Sequence, residues 1–297
     1  MGYGEDVGFS KVEQADLQSG GLPAFERCLP AQRSLAEWSD QVAGLELFSG
    51  AGPAESIERA YRVFAIESAL LDLALKQAGE AWPAANRPLR FVISRSVRKS
   101  AGFDHVERLL RSFPGARFKL DVGPELGAEE IARLGKLGCV DVVDAKASGM
   151  AEGPVAEKFA TRLAALAEAL PEVRIEDPPL TARALESLAP IQHRITFDAP
   201  VTNGLALEQW PIRPGAVHVK PARFGRLAKL FQFYAECRRE DLEMVGGGLF
   251  ELGPGRRHAG RLAQAFHPSA PNDLAPVGFH VVEPDPGLSV DPLTSIP

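Results

Sequence analysis

Residues 173–180 read VRIEDPPL, residues 194–201 read RITFDAPV, and residues 216–225 read AVHVKPARFG. Each is a short run rich in β-branched residues that stops at a charge. The three charges, Glu176, Asp198 and Lys220, follow one another at steps of 22 residues. That step holds a strand, a loop, a helix and a return loop, so the charges should recur at the same ends of successive parallel strands. One unit earlier CVDVVDAKAS stops in the same way at Asp144. Three carboxylates and a lysine at strand C-terminal ends are what an α/β barrel uses to build a metal-dependent site.

Working outward, the strand-then-helix alternation starts at residue 89. Strands are expected at 89–94 (LRFVIS), 117–121, 139–144, 173–177, 194–198, 216–220 and 242–246, with an eighth somewhere in 273–282. Helices are expected at 105–112, 128–137, 155–170, 181–188, 206–210, 226–239 and 257–266. This predicts a TIM-type (β/α)7β barrel over 86–283, preceded by a partial α+β capping region over 1–85 and followed by an irregular, Pro-rich tail over 284–297. Within the first region a short strand is expected at 2–7. A helix capped by Ser34 with Glu37 as its capping-box partner should follow. A long amphipathic helix from about 55 to 77 completes the region, with Ile57, Ala60, Tyr61, Phe64, Leu71 and Leu75 on one stripe.

Composition narrows the function. Of 297 residues, 45% are hydrophobic and 24% charged, ample for a packed core. A net charge of −6 and pI near 5.6, with no basic run, argue against a nucleic-acid surface. Cys28, Cys139 and Cys237 are odd in number and form no CxxC pair, which predicts reduced thiols and no zinc site. No apolar leader and no run of 18 apolar residues is present, so a cytoplasmic protein without membrane insertion is expected.

AIESALLDLALKQAG (65–79), IEDP (175–178), FDAP (197–200), VKPARFG (219–225) and GGGLFELGPG (246–255) stand in an order and spacing that resembles the enolase superfamily. The resemblance runs from about residue 55 to 276 and is nearest the muconate-lactonizing and mandelate-racemase type of barrel. It implies abstraction of the proton α to a carboxylate, with Mg²⁺ stabilising the enediolate. Matched residue by residue, it implies that Asp144, Glu176 and Asp198 bind the metal and that Lys220 is an acid/base. Hard carboxylate oxygens suit Mg²⁺, and a nearby dication would favour the neutral lysine that a general base needs. The implied partner is a small carboxylate substrate, with a homo-oligomer as a possible assembly.

Two strand ends depart from that family. Where it has Lys-x-Lys on the second strand, this chain has Lys119-Leu120-Asp121. Where it has Asp-x-Asn on the third, this chain has Asp144-Ala145-Lys146. The two changes exchange charge between neighbouring strand ends, which predicts an Asp121–Lys146 ion pair, with Lys146 as a second proton carrier. Lys119 is retained as a further catalytic candidate. Glu251, Arg256, Asn272 and Asp273 lie after the seventh strand and near the eighth, as candidates for substrate contact or, for Glu251, for orienting Lys220. His218 shares a strand face with Lys220 and is expected in the barrel interior. The sequence also opens at GYGED, which resembles the third strand of the family's capping domain, so residues 2–7 are expected to form an unpaired edge. Two rival functions stay open: a Schiff-base aldolase or lyase using Lys220, and a barrel that serves as a binding protein without catalysis.

Overall fold

The computed structural model describes residues 1–29, 32–48, 57–80, 82, 87–202 and 209–296. The N-terminal region contains α1 (Lys11–Gly20), α2 (Pro23–Glu26), α3 (Leu35–Ala43) and the 22-residue α4 (Ile57–Ala78). The capping box forms as expected. Glu37 accepts from the Ser34 backbone N–H at 2.7 Å, and Ser34 Oγ accepts from the Glu37 N–H at 3.3 Å.

The short strand expected at 2–7 does not form. Residues 1–10 run without regular structure along α4, so closely that a Cβ on Gly2 would stand 2.0 Å from the Ala69 carbonyl oxygen. One on Gly4 would stand 1.9 Å from that of Ala65. The two glycines therefore let the segment pack on a helix, and its backbone is tied to side chains there: the Tyr3 N–H donates to Asp72 at 2.9 Å. The exposed strand edge expected at this end is accordingly absent. Helices α1 and α2 were not expected; neither has a buried residue, so neither carries an apolar stripe to be read.

Seven parallel strands follow in sequential order. They are β1 (Ile93–Ser96), β2 (Phe118–Asp121), β3 (Val140–Asp144), β4 (Arg174–Glu176), β5 (Ile195–Phe197), β6 (Ala216–Val219) and β7 (Glu243–Gly246). Between them run α5 (Ser100–Ser112), α6 (Ala128–Leu137), α7 (Pro154–Ala169), α8 (Ala182–Leu188) and α9 (Leu227–Arg239), and α10 (Pro254–Phe266) follows β7. Every residue of β3 and of β6 is buried, as expected where helices cover one face and strand side chains pack on the other. The helix expected at 206–210 falls largely outside the described residues, as do the break at 50–53 and the first two residues of the long helix.

The eighth strand expected within 273–282 is not built there. Instead Asn272 makes a parallel bridge with Phe91 and Asp273 one with Gly247, so two residues touch both edges of the sheet. The chain then turns through a 3-10 helix, Val277–His280. Asn272 explains why so short a contact holds. Its Oδ1 accepts from the Gly246 N–H at 2.6 Å and from His267 Nδ1 at 2.8 Å. Its Nδ2 donates to the carbonyls of Arg90, Ala270 and His267 at 2.9–3.1 Å. The tail is more ordered than its composition suggested: Leu293 bridges antiparallel to Leu89 and packs on it.

The two regions share polar ties. Glu67 on α4 is buried and accepts from Ser39 Oγ at 2.6 Å and from the Leu227 N–H, at the start of α9, at 2.7 Å. Glu5 accepts from the N–H groups of Leu252, Gly253 and Gly255 at 2.7–2.9 Å, at the N-terminus of α10. Among the described residues, no helix is long and apolar enough to cross a membrane.

Candidate active site

The sheet register sets out the site. Asp121 stands opposite Asp144, and Asp144 opposite Glu176, so the last residues of β2, β3 and β4 form a row of carboxylates. Asp198 follows β5, and Lys220 follows β6. Asp144, Glu176, Asp198, Lys119 and Lys220 are all buried. Buried charges persist only when paired, and each of these is.

Lys119 projects among the carboxylates from β2. Its ammonium hydrogen-bonds Glu176 Oε1 and lies 3.0 Å from Asp144 and 3.4 Å from Asp273. Burial by itself would push this lysine down; Glu176, Asp273 and Asp144 outweigh it and hold the ammonium well above its usual range. Glu176 is pulled well below the usual carboxylate range. Burial opposes this, but His218, whose Nε2 lies 3.0 Å away, and Lys119 prevail. Asp144 goes the other way, up to about 6, because burial and the Glu176 charge outweigh its lysine partners. Asp198 is lowered to about 2 against its burial, chiefly by Lys220 at 2.7 Å, with Arg223 at 2.8 Å on its other oxygen.

The departures on β2 and β3 meet. Lys146 Nζ lies 3.1 Å from Asp121 Oδ1 and hydrogen-bonds Asp144 Oδ2. Lys146 holds a left-handed backbone (φ 47°), which turns its N–H onto Asp144 Oδ1 at 3.0 Å.

The four remaining candidates are placed differently. Asn272 is fully buried with both ends of its amide engaged, as the clasp described above. Asp273 faces Lys119. Glu251 is buried and turned into its own loop, where it accepts from the Leu249 N–H at 2.7 Å; burial raises its carboxyl. No contact links it to Lys220 among the described residues. Arg256 donates to the Ala275 carbonyl and lies 3.5 Å from His280.

Three participants were not singled out from the sequence. Asp177, the second acid of IEDP, accepts from the N–H groups of Asp198 and Ala199 at 2.9 Å each and so fixes the β5 loop. Its backbone is also left-handed (φ 48°), and burial with two neighbouring acids raises its carboxyl to about 6. Arg223 was legible only as the third residue after Lys220. Tyr61, read as part of the α4 core stripe, lies beside Arg223 and Asp198; burial pushes its phenol up.

A divalent cation fits the donor set. Glu176, Asp177 and Asp198 offer ligand atoms within 4.8 Å of one another. Asp177 has both oxygens committed to backbone N–H groups, and Asp198 has one oxygen on Lys220 and the other on Arg223. Glu176 Oε2 is buried, with His218 Nε2 3.0 Å away, and is the hard oxygen of Glu176 that Lys119 leaves open. Among the described residues six carboxylates (Asp121, Asp144, Glu176, Asp177, Asp198, Asp273) stand among four lysine and arginine cations (Lys119, Lys146, Lys220, Arg223).

Residues 1–85 match the N-terminal domain, and residues 85–281 the C-terminal domain, of a family described as a domain of unknown function (DUF8230). No curated protein matches the chain. Solved structures of enolase-superfamily members share its fold. A superfamily member from Listeria innocua Clip11262 is 18% identical, with a TM-score of 0.63 over 92% of this chain and 74% of that one. Muconate cycloisomerase from Pseudomonas fluorescens is 16% identical, with a TM-score of 0.64 over 92% and 78%. Dipeptide epimerase from Methylococcus capsulatus, complexed with Mg and the dipeptide L-Arg-D-Lys, is 21% identical, with a TM-score of 0.63 over 82% and 70%.

Proposed function

The chain belongs to the DUF8230 family, and on its enolase-superfamily fold we propose that it is a Mg²⁺-dependent lyase or isomerase that moves the proton α to a small carboxylate. The observation that carries this reading is the row of carboxylates at the ends of β3, β4 and β5, followed by Lys220 at the end of β6. We read the bridges at Asn272 and Asp273 as the eighth stave of a closed barrel, with this row at its C-terminal mouth.

Asp144, Glu176 and Asp198 would hold the metal. When bound, the cation would neutralise negative charge developing on the substrate carboxylate as its α-proton leaves. Lys220 would exchange that proton at Nζ, and Asp198 with Arg223 would fix its ammonium. Asp177 holds the backbone that aims Asp198. Lys146, exposed over half of its side chain and braced by Asp121, would be the second proton carrier on the opposite side.

The Schiff-base reading, like the acid/base one, needs a neutral Lys220 amine, so the Lys220–Asp198 ion pair does not separate the two. Borohydride trapping with a keto acid tests this rival directly.

The main test is solvent exchange. The protein with Mg²⁺ in D₂O is incubated with hydroxy acids, dipeptides and dicarboxylates, and the α-proton signal is followed by NMR. Loss of that signal for one class is expected, slowed ~10²–10⁴-fold in Lys220→Ala. Exchange that is unchanged in Lys220→Ala would remove the lysine from the chemistry. No exchange across the panel would favour the non-catalytic barrel.

A further inference from the structure

Lys119 stands on two of the carboxylates that a metal would use, at Glu176 Oε1 and Asp144 Oδ2. Its side chain is buried to 2% exposure, so its ammonium has no route to solvent. Its partners are Glu176 Oε1, Asp144 Oδ2 and, less closely, Asp273 Oδ2. Two of those three residues are assigned above to the metal. The other cations of the site also contact carboxylates assigned to the metal, but each contacts only one of them. Lys146 is exposed over 55% of its side chain and can leave Asp144 for water. Lys220 and Arg223 both address Asp198, from the β6 side.

We propose that Lys119 is a tethered counter-ion that a divalent cation must displace from Asp144 and Glu176, so that the ion and this ammonium exclude each other from the same two carboxylates. The proposal rests on the metal-cradle reading. Its physical basis is that two like charges cannot share carboxylates in a buried site, where their repulsion is poorly screened. Asp273 is the acceptor within reach: it lies 3.4 Å from the ammonium, and its side chain is 22% exposed. An ammonium moved from Glu176 toward Asp273 still has a carboxylate partner, which keeps its displacement from stranding a buried charge. Lys119 would thus have two positions, selected by the metal. This also gives a role to the change on β3, because a lysine at 146 supplies Asp144 with a cation that can withdraw.

The test is metal binding by the full-length protein, with Mn²⁺ as the probe. Lys119→Met keeps the length and apolar stem and removes the charge. Its Mn²⁺ dissociation constant, by calorimetry or by EPR of the free ion, should be at least tenfold lower than that of the wild type. The rise in Tm between EDTA and millimolar Mg²⁺ should also be larger in the variant. Lys119→Arg, which keeps the charge, should bind Mn²⁺ no better than the wild type. Lys119→Met that folds only with Mn²⁺ is the same result in its extreme form. If that variant cannot be recovered at all, Lys119→Gln supplies the titration. Equal or weaker Mn²⁺ binding by the uncharged variants, with the wild type binding, overturns the counter-ion role and leaves the cradle standing. No binding by any form overturns both.

Discussion

The Gly246 N–H and Asn272 Oδ1, 2.6 Å apart, join the end of β7 to the two-residue segment that bridges both sheet edges. A Cβ at Gly246 would stand 2.8 Å from His267 Cε1 and 2.9 Å from Asn272 Oδ1. Asn272→Ala leaves the Gly246 N–H and three carbonyls without this partner and should cost about 2–4 kcal/mol. Gly246→Ala should destabilise by overpacking, at about 1–3 kcal/mol. Urea denaturation of both variants measures this; a loss under 0.5 kcal/mol (about the level of a neutral surface change) would show that the clasp is dispensable.

Acid should find a weakness at the same clasp. Burial lowers His267 to about 4, helped by His218, while Asn272 opposes. The folded protein therefore binds fewer protons than the unfolded chain between about pH 6.5 and 4. The stability that His267 contributes is present above 6.5 and is lost as pH falls toward 4, by roughly 3 kcal/mol. Asp144 and Asp177, raised to about 6, work in the opposite sense, gaining stability as pH falls through 6. The clean measurement is thus the difference between wild type and His267→Gln. Between pH 6.5 and 4 the wild type should lose stability relative to the variant, and parallel curves would show that His267 titrates normally.

Magnesium should raise Tm, because a ligand that binds only the folded state stabilises it by mass action. Glu176→Gln should abolish the shift, since it removes the central carboxylate of the row. Identical melting of both proteins with and without millimolar Mg²⁺ would refute the cradle.

A charge-reversal cycle examines Asp121 and Lys146. Because Lys146 is half exposed, the coupling should be modest, about 0.5–1 kcal/mol. The double exchange should recover only part of the loss, because an aspartate at 146 would face Asp144 as well. Strictly additive losses would mean that the 3.1 Å contact carries no energy.

The strand ends were legible because each buried β-branched run stops at a charge at the C-terminal edge of the sheet. Observed strands begin or end within a few residues of the expected ones, and α6 spans the residues expected. Residues 2–7 were misread because alternation does not say what lies alongside: the partner is α4, approached through Gly2 and Gly4. Helix α1 escaped because a helix that buries nothing leaves no stripe. At the site, the residue types were readable but their pairing was not. Asp177 follows Glu176 directly, and only a left-handed backbone turns it away onto the β5 loop. The crowding of Lys119 among three acids exists only once β2, β3, β4 and the 272–273 segment converge.

Glu5 carries a last consequence. Its carboxylate already takes the free amides that open α10, a helix end that favours negative charge. The first ten residues thus supply, from within the chain, the negative charge that this helix end favours, and an outside anion there would have to displace the Glu5 carboxylate.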